Sequence, residues 1–267
     1  SNESHTTKPK ARLSKPGWLQ THNKQKDILL TTNSKTILIG DSIIKNLKYY
    51  QNIWHHHFGK DYINCGIGGD QIQNVFWRVE DYALPTSINC AILLFGTNNL
   101  HKDIPIDIVN GIVSIGKKIK ERYDHISVFI SGILPRDSPS SNARNKIEYV
   151  NYHLKKCCED TGIFYIDISE DWTTKTGELR RELFFHDNVH LTEAGNNKLA
   201  ECLISSVKDK TTKQTEPCFL GTGNNTSGEE LPLLTSKEVI NDYNSTILKK
   251  SYAAVVKSST KMCLHSI

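Results

Sequence analysis

The stretch TILIGDSIIKNL, residues 36–47, decides the fold of this chain. Residues 36–39 form a short apolar run followed by glycine, a pattern typical of a strand that is buried on both faces of a sheet. A helical pattern begins directly afterwards and extends to residue 50. Ser42 therefore stands at a turn from strand to helix, where backbone amides and the helix dipole favour negative charge. Taken alone, the same serine could be an ordinary helix cap.

Four more apolar segments predict strands, and amphipathic stripes predict helices between and after them. The strands are expected at residues 62–65, 89–95, 126–131 and 163–166. The stripes are Ile72, Val75, Phe76 and Val79; Ile108, Ile112, Ile115 and Ile119; Ile147, Val150 and Leu154; and Leu199, Leu203 and Val207. Asp70 is the expected N-cap of the first stripe. This alternation predicts an α/β fold, a mostly parallel sheet with helices on both faces, whose site lies beyond the carboxyl ends of the strands.

The second and third strands end in segments that could supply hydrogen-bond donors. The glycine-rich segment CGIGGD, residues 65–70, lets the backbone approach a ligand closely, and the Gly69 N–H could donate to an oxyanion. Gln71 breaks the GxGxxG spacing, so a dinucleotide site is not indicated. In GTNN, residues 96–99, the Asn98 amide could reach the same oxyanion or simply belong to a turn.

The segment FHDNVHL, residues 185–191, combines a carboxylate and an imidazole three residues apart. Asp187 could orient the His190 ring and stabilise its protonated form. His190 could then accept the Ser42 proton and return it to a leaving group. A metal site made of His186, Asp187 and His190 is the disfavoured alternative, because no acidic cluster accompanies these residues.

Composition divides the chain into three parts. Residues 1–34 are polar and basic, which predicts a flexible linker; residues 35–208 carry the strand and helix patterns; residues 209–267 are rich in Thr, Ser, Asn and Lys, which predicts a largely disordered tail. No apolar run is long enough to span a bilayer. The seven cysteines follow no zinc or redox spacing, which favours free thiols in a reducing compartment.

With these motifs assembled, the sequence resembles the SGNH (GDSL-type) hydrolases. The matching residues are Ser42 in GDS, Gly69 in GIGGD, Asn98 in GTNN, and Asp187 with His190 in DNVH. The resemblance implies a three-layer α/β/α sandwich with a five-stranded parallel sheet in flavodoxin-like order. It also implies an oxyanion hole formed by the Ser42 backbone N–H, Gly69 and Asn98, and no metal or organic cofactor. The GxSxG elbow of the α/β-hydrolases is absent, so that fold is not indicated.

The resemblance covers about residues 35–208 and extends to two subfamilies. FGTNN, GIGGDQIQNVFWRVED and SGILPRD resemble the catalytic subunits of platelet-activating-factor acetylhydrolase. They are more similar to the esterase domain in first-open-reading-frame proteins of non-LTR retrotransposons, whose multidomain organisation suits the basic, low-complexity flanks. We therefore expect a cytoplasmic RNA-packaging protein, with association with membranes or ribonucleoprotein particles as alternative settings.

The expected activity is hydrolysis of short-acyl esters through an acyl-enzyme. By analogy with the family, branched Ile43, Thr97 and Val189 crowd the acyl pocket and favour acetyl groups. The alcohol part is expected to be a lipid, such as a phospholipid, with a glycan O-acetyl ester as the alternative. Arg136, after the fourth strand, either faces the mouth of the site and meets an anionic substrate or is solvated at the surface, and the second interpretation is favoured.

A second hypothesis makes the domain mainly a binding module whose hydrolase activity is auxiliary. The basic flank could meet an anionic membrane surface or nucleic acid. Nucleic acid is disfavoured for the domain itself, because it lacks a basic sheet face with aromatic residues that stack on bases. Self-association, if it occurs, is expected to use regions beyond this sequence.

Overall fold

The computed structural model describes residues 4–159 and 161–214, which contain one parallel sheet of five strands. The strands are β1 (Thr36–Gly40), β2 (Tyr62–Gly66), β3 (Cys90–Leu94), β4 (Ser127–Ser131) and β5 (Phe164–Ile166). They lie in the order β2-β1-β3-β4-β5, and each neighbouring pair is parallel. The order is that of the flavodoxin-like fold. The expected fold class is confirmed, and each predicted strand differs from the observed one by no more than one residue at either end.

Seven α-helices cover the two faces of this sheet in the described residues. They are α1 (Trp18–Thr31), α2 (Ser42–Leu47), α3 (Gln51–His57), α4 (Ile72–Asp81), α5 (Pro105–Arg122), α6 (Asn142–Glu159) and α7 (Glu193–Gln214). Residues of α4, α5 and α6 share one buried cluster with Leu29 of α1, whereas residues of α2, α3 and α7 form the other. The four stripes read from the sequence are confirmed as the apolar faces of α4, α5, α6 and α7. None of the described helices is both long and apolar enough to cross a membrane.

The strands are continuously apolar because both faces of the sheet are covered. In β1, Ile37 and Ile39 contribute to one core cluster and Leu38 to the other. All three side chains are completely buried. This period of two is the ordinary alternation of side chains along a strand, and here neither face meets water.

The turn from β1 into α2 requires glycine at its first position. A Cβ atom on Gly40 would lie 2.2 Å from the Leu94 carbonyl oxygen of β3, a contact that no side chain tolerates. Asp41 follows as the N-cap of α2, and its Oδ1 accepts a 2.9 Å hydrogen bond from the Ile43 N–H. Ser42 is therefore the first residue of α2, beyond the carboxyl end of β1.

Residues 4–34 do not form a flexible linker, so that prediction was wrong for the described part of the segment. This N-terminal arm, residues 4–31, contains a 3-10 turn at His5–Thr7 and helix α1. Trp18 and Leu29 are each 1% exposed, and the Lys10 N–H donates to the Gln73 carbonyl of α4. The composition of this segment predicted a linker because most of its residues are polar and exposed. A few large buried side chains nevertheless anchor the arm to the domain.

Two further expectations need correction. Asp70 is not the N-cap of α4, a position that Gln71 occupies in a reciprocal capping box with Asn74. The expected tail does not begin at residue 209, because α7 continues to Gln214. The rest of the predicted tail lies outside the described residues.

The arm makes a testable contribution to stability. Trp18→Ala should lower the free energy of unfolding by about 3–5 kcal/mol, because it removes a fully buried indole and leaves a cavity. Urea denaturation followed by circular dichroism measures the change. The matched control is Leu30→Ala on the same helix, where the side chain is 76% exposed, and it should change stability by less than about 0.5 kcal/mol. Equal, small effects would show that the arm is a linker after all.

Candidate active site

Ser42, His190 and Asp187 form a continuous chain of hydrogen bonds. The Ser42 Oγ lies 2.9 Å from His190 Nε2, although 148 residues separate them in sequence. On the far side of the ring, His190 Nδ1 lies 2.6 Å from Asp187 Oδ2. The structure therefore brings together the three side chains that the sequence singled out, at the carboxyl end of β1.

The ionisation of Asp187 fixes the direction of these hydrogen bonds. Burial alone would raise the pKa of Asp187, but hydrogen bonds from the His190 ring, the His190 N–H and the Val189 N–H outweigh it and lower the pKa. An ionised carboxylate only accepts hydrogen bonds, so His190 Nδ1 carries the hydrogen. Nε2 is then left to accept the hydroxyl hydrogen of Ser42, the arrangement that a general base requires.

Backbone pairing holds the loop that carries Asp187 and His190. Phe184 and Leu191 form an isolated antiparallel bridge, and the Phe185 N–H donates to the His190 carbonyl over 2.9 Å. At the tip of the loop, Asn188 adopts a left-handed conformation with φ 61°, and its carbonyl accepts from the Asp137 N–H. The loop is thereby attached to the segment that follows β4, which limits the movement of the imidazole.

The two expected oxyanion donors lie in adjacent loops. Gly69, in the loop after β2, has φ +77°, a conformation that side chains rarely adopt. Asn98, in the 3-10 turn after β3, donates one Nδ2 hydrogen to the Asp70 carbonyl over 2.9 Å. That bond ties the asparagine to the glycine loop. The second Nδ2 hydrogen of Asn98 and the N–H of Gly69 have no acceptor among the described residues, so both can serve a ligand.

Ile43, Thr97 and Val189, the three residues expected around the acyl group, line one small cavity. Its volume, measured as room for the centre of a water molecule, is about 10 Å³. The other lining residues are Asp41, Leu94, Phe95, Ile133, Leu134, Pro135 and Arg136. The cavity thus lies on the side of Ser42 where β3 and β4 end.

Arg136 is not a solvated surface residue, so the favoured interpretation was wrong. Its guanidinium Nη1 donates to the Thr97 hydroxyl over 3.1 Å, its Nε lies 3.0 Å from Asp137, and 13% of its side chain is exposed. Arg144 holds the neighbouring backbone by donating to the carbonyls of Arg136 and Asp137. The arginine therefore forms part of the cavity wall and is already paired.

Asp41 is a second carboxylate at the site, in the opposite electrostatic situation from Asp187. It is 1% exposed, and its Oδ2 has no hydrogen-bond partner among the described residues. Burial raises the pKa of Asp41 to about 7, although the Ile43 N–H opposes the shift. The charge of Asp70 adds to the rise, whereas His190 and Arg78 reduce it.

Several supporting residues escaped the sequence reasoning. Asp70 accepts from Trp18 Nε1 over 2.6 Å and from Arg78 Nε over 2.8 Å, with every partner buried. Arg12 of the N-terminal arm donates from Nη1 to the Gly68 carbonyl over 3.1 Å. In the sequence, only the position of Arg78 beside the apolar stripe of α4 indicates a buried charge. The sequence does not indicate which carboxylate pairs with it.

Residues 38–198 match the GDSL-like Lipase/Acylhydrolase family. The chain belongs to this family. It is a carboxylic ester hydrolase, and the matched residues include Ser42, Gly69, Asn98, Asp187 and His190.

Individual relatives agree with this assignment. The acylhydrolase is 28% identical to platelet-activating factor acetylhydrolase IB subunit alpha2 of Rattus norvegicus over 192 residues, which cover 70% of this chain and 81% of the relative. The structure of a GDSL-like lipase from Bacteroides thetaiotaomicron superposes with a TM-score of 0.62 at 15% identity, covering 72% of this chain and 97% of the other. A carbohydrate acetylesterase from Sinorhizobium meliloti gives a TM-score of 0.53 at 13% identity, covering 66% and 99%. The two structures show a shared fold.

The buried Asp41 should make the stability of the acylhydrolase depend on pH. A carboxyl whose pKa rises on folding favours the folded state fully at low pH, and that contribution is lost as pH increases from about 4 to about 7. Asp41→Asn keeps an acceptor for Ile43 and removes the titration. Relative to the parent, the variant should therefore gain stability progressively across this range, by at most about 4 kcal/mol.

Urea denaturation at pH 4.5, 6 and 8 measures this gain. Asp124→Asn, at a fully exposed carboxylate, is the matched control and should show no trend. A constant difference between Asp41→Asn and the parent at all three pH values would show that Asp41 titrates in its ordinary range.

Proposed function

We propose that the protein hydrolyses acetyl and other short-acyl esters through an acyl-enzyme on Ser42. The observation that carries the proposal is the hydrogen-bonded chain from Ser42 Oγ through the His190 ring to Asp187. A serine hydroxyl is a weak nucleophile until an adjacent base accepts its proton. The chain supplies that base and the carboxylate that orients it.

Each residue has a defined role in the proposed reaction. His190 Nε2 takes the Ser42 proton as Oγ attacks the ester carbonyl, and the negative charge of the tetrahedral intermediate falls on the former carbonyl oxygen. The Ser42 N–H, the Gly69 N–H and the free Asn98 amide hydrogen stabilise this oxyanion. The His190 imidazolium then protonates the leaving alcohol. A water molecule, deprotonated by the same imidazole, releases the acid and restores Ser42.

The acyl preference follows from the cavity next to Ser42. Ile43, Thr97 and Val189 line a cavity of about 10 Å³, counted as the space open to the centre of a water molecule. This is about the smallest cavity that holds one water molecule. A methyl group fits such a space after small side-chain movements, whereas a long acyl chain does not. Acetyl is therefore the proposed acyl group.

For the alcohol part, a lipid is proposed and a glycan is the alternative. The curated relative named above is an acetylhydrolase of platelet-activating factor, and one structural neighbour is a carbohydrate acetylesterase. The acetylhydrolase is 28% identical to this chain and the carbohydrate acetylesterase 13% identical, and this difference supports the lipid. The alcohol part of the ester lies outside the acyl cavity. Selection between a lipid and a glycan alcohol therefore depends on residues at the rim of the site.

The cellular setting is also a proposal. We place this esterase in a retrotransposon-encoded, RNA-packaging protein in the cytoplasm, on the strength of the motif resemblance and the basic N-terminal segment. Within this setting an anionic membrane surface is the proposed macromolecular partner. A domain that mainly binds membrane or ribonucleoprotein is the alternative function, favoured by the same basic residues. Flotation with anionic liposomes beside filter binding with single-stranded RNA separates the two partners.

Ser42→Ala should abolish hydrolysis of 4-nitrophenyl acetate, with kcat falling by at least about 10³-fold, because the variant has no nucleophile. A fluorophosphonate should label the parent at residue 42, located by mass spectrometry, and leave the variant unlabelled. Ser87→Ala, shortly before β3 and so near the amino-terminal ends of the strands, is the matched control and should retain parental activity. Parental turnover by Ser42→Ala would refute the mechanism.

Widening the cavity should change acyl-chain preference. Val189→Ala removes two methyl groups from the cavity wall, so the ratio of kcat/KM for butyrate to acetate esters should increase by about tenfold. A series of 4-nitrophenyl esters from acetyl to decanoyl measures this ratio. Val113→Ala removes the same atoms from the far core and should leave the ratio unchanged. A parental optimum at long chains would contradict the acetyl assignment.

A further inference from the structure

Two half-buried cations flank the glycine loop beside Ser42, and they come from separate parts of the chain. Arg12 belongs to the N-terminal arm and Lys45 to α2. A Cβ atom at Gly68 would lie 3.8 Å from Lys45 Nζ and 4.0 Å from Ser42 Cβ. Each of these two atoms is within 4.0 Å of the same Cβ position, so the Lys45 ammonium group and the Ser42 Cβ lie at most about 8 Å apart.

The Arg12 guanidinium lies on the neighbouring residue of the loop. A Cβ atom at Gly69 would lie 2.8 Å from Arg12 Nη1 and 3.2 Å from Nη2. Nη1 donates to the Gly68 carbonyl, whereas Nη2 has no hydrogen-bond partner in the described part of the chain. The fixed nitrogen anchors the side chain, and the other is available to a ligand.

Neither cation has a carboxylate partner within 4 Å in the described part of the chain. Lys45 Nζ lies 5.5 Å from the centre of the Tyr49 ring, a contact that leaves its hydrogens free. Asp70 is the nearby acidic group, and it already accepts from Arg78 and Trp18. The Arg12 charge also acts on Asp70 at longer range, but Asp70 is shared with Arg78. Two half-buried positive charges without a carboxylate in direct contact create a local preference for an anion.

The order of the strands puts this cationic pair on a defined side of the nucleophile. Ser42 follows β1, which lies between β2 and β3. The glycine loop follows β2 on one side, and the acyl cavity is lined by residues after β3 and β4 on the other. An ester carbon bonded to Ser42 Oγ carries three other groups: the acyl group in the cavity, the oxyanion at the Gly69 and Asn98 donors, and the leaving oxygen, which must lie near the His190 ring that protonates it. The rest of the alcohol is then the part of the ester that can extend over the glycine loop to Arg12 and Lys45.

From this arrangement we propose that Arg12 and Lys45 form a subsite for an anionic group on the leaving alcohol. This inference rests on the proposed ester hydrolysis and specifies its substrate class: acetyl esters whose alcohol bears a phosphate, sulfate or carboxylate a few bonds from the ester oxygen. Lys45 Nζ lies at most about 8 Å from Ser42 Cβ, a distance that a benzene ring or a glycerol unit can span. Arg12 supplies a planar, doubly donating group, and Lys45 supplies a point charge.

Two acetate esters of nearly identical shape test the subsite. 4-Acetoxybenzoate carries an anionic group on its leaving phenol, and 4-acetoxybenzamide carries a neutral group of the same size. The readout is the ratio of kcat/KM for the anionic ester to kcat/KM for the neutral ester. The intrinsic reactivity of each ester is the same for every variant, so it cancels when the ratios of two variants are compared. Arg12→Gln and Lys45→Gln should each lower this ratio by about five- to tenfold, mainly through KM of the anionic ester. Arg12→Lys should restore part of it.

Two further measurements separate charge recognition from structural effects. Raising NaCl from about 50 mM to about 500 mM should lower the parental ratio by screening the cations. Lys35→Gln, at an exposed lysine directly before β1 and so at the opposite end of that strand from Ser42, is the matched control and should keep the parental ratio.

The outcomes distinguish this subsite from the proposed function. If Arg12→Gln and Lys45→Gln lower kcat/KM equally for both esters, the two residues only support the glycine loop, and the subsite is refuted. A ratio that does not change in either variant refutes it as well. If the parent hydrolyses neither ester, or Ser42→Ala hydrolyses both at the parental rate, the ester hydrolase mechanism fails, and the subsite fails with it.

Discussion

The ion pair between Arg78 and Asp70, 2.8 Å long and completely buried, determines where the glycine loop lies. Arg78 also donates to the carbonyl oxygens of Gly40 and Cys65, at the ends of β1 and β2. One guanidinium thus joins two strand ends to the loop that carries Gly69. Because loss of either charge would leave the other buried and uncompensated, about 3–5 kcal/mol depends on the pair. Contacts with the buried Arg78 side chain therefore hold the backbone next to Ser42 in place.

The N-terminal arm continues the same network to the surface. Trp18 donates to the Asp70 carboxylate, and Gln25 contacts both Arg78 and Tyr82 in the buried layer. Arg12 then extends from the arm over the glycine loop. One wall of the site is thus made by a segment that follows none of the strands. The opposite wall is made by the loops after β3 and β4, so in the proposed reaction the two halves of an ester would meet different parts of the chain.

Two carboxylates at the site have opposite titration behaviour because they differ both in burial and in the number of hydrogen bonds that each receives. Asp187 accepts from the imidazole and from two backbone N–H groups, which lowers its pKa and keeps it charged opposite His190. Asp41 receives one such bond inside the protein, and burial raises its pKa to about 7. A charge that is stabilised can support an imidazolium, whereas a carboxyl that is costly to ionise serves as a cap and a wall.

The sequence by itself determined the sheet and the positions of the candidate site residues. Apolar runs of buried parallel strands are local signals, and Ser42, Asn98 and His190 each follow a strand or precede a helix in a recognisable motif. Only the tertiary structure decided the role of Asp70, since a carboxylate just before a helix has the pattern of an N-cap while its partner Trp18 is 52 residues away. It also decided that the N-terminal arm belongs to the domain, because the burial of Trp18 and Leu29 is a contact with distant residues, which local composition does not record.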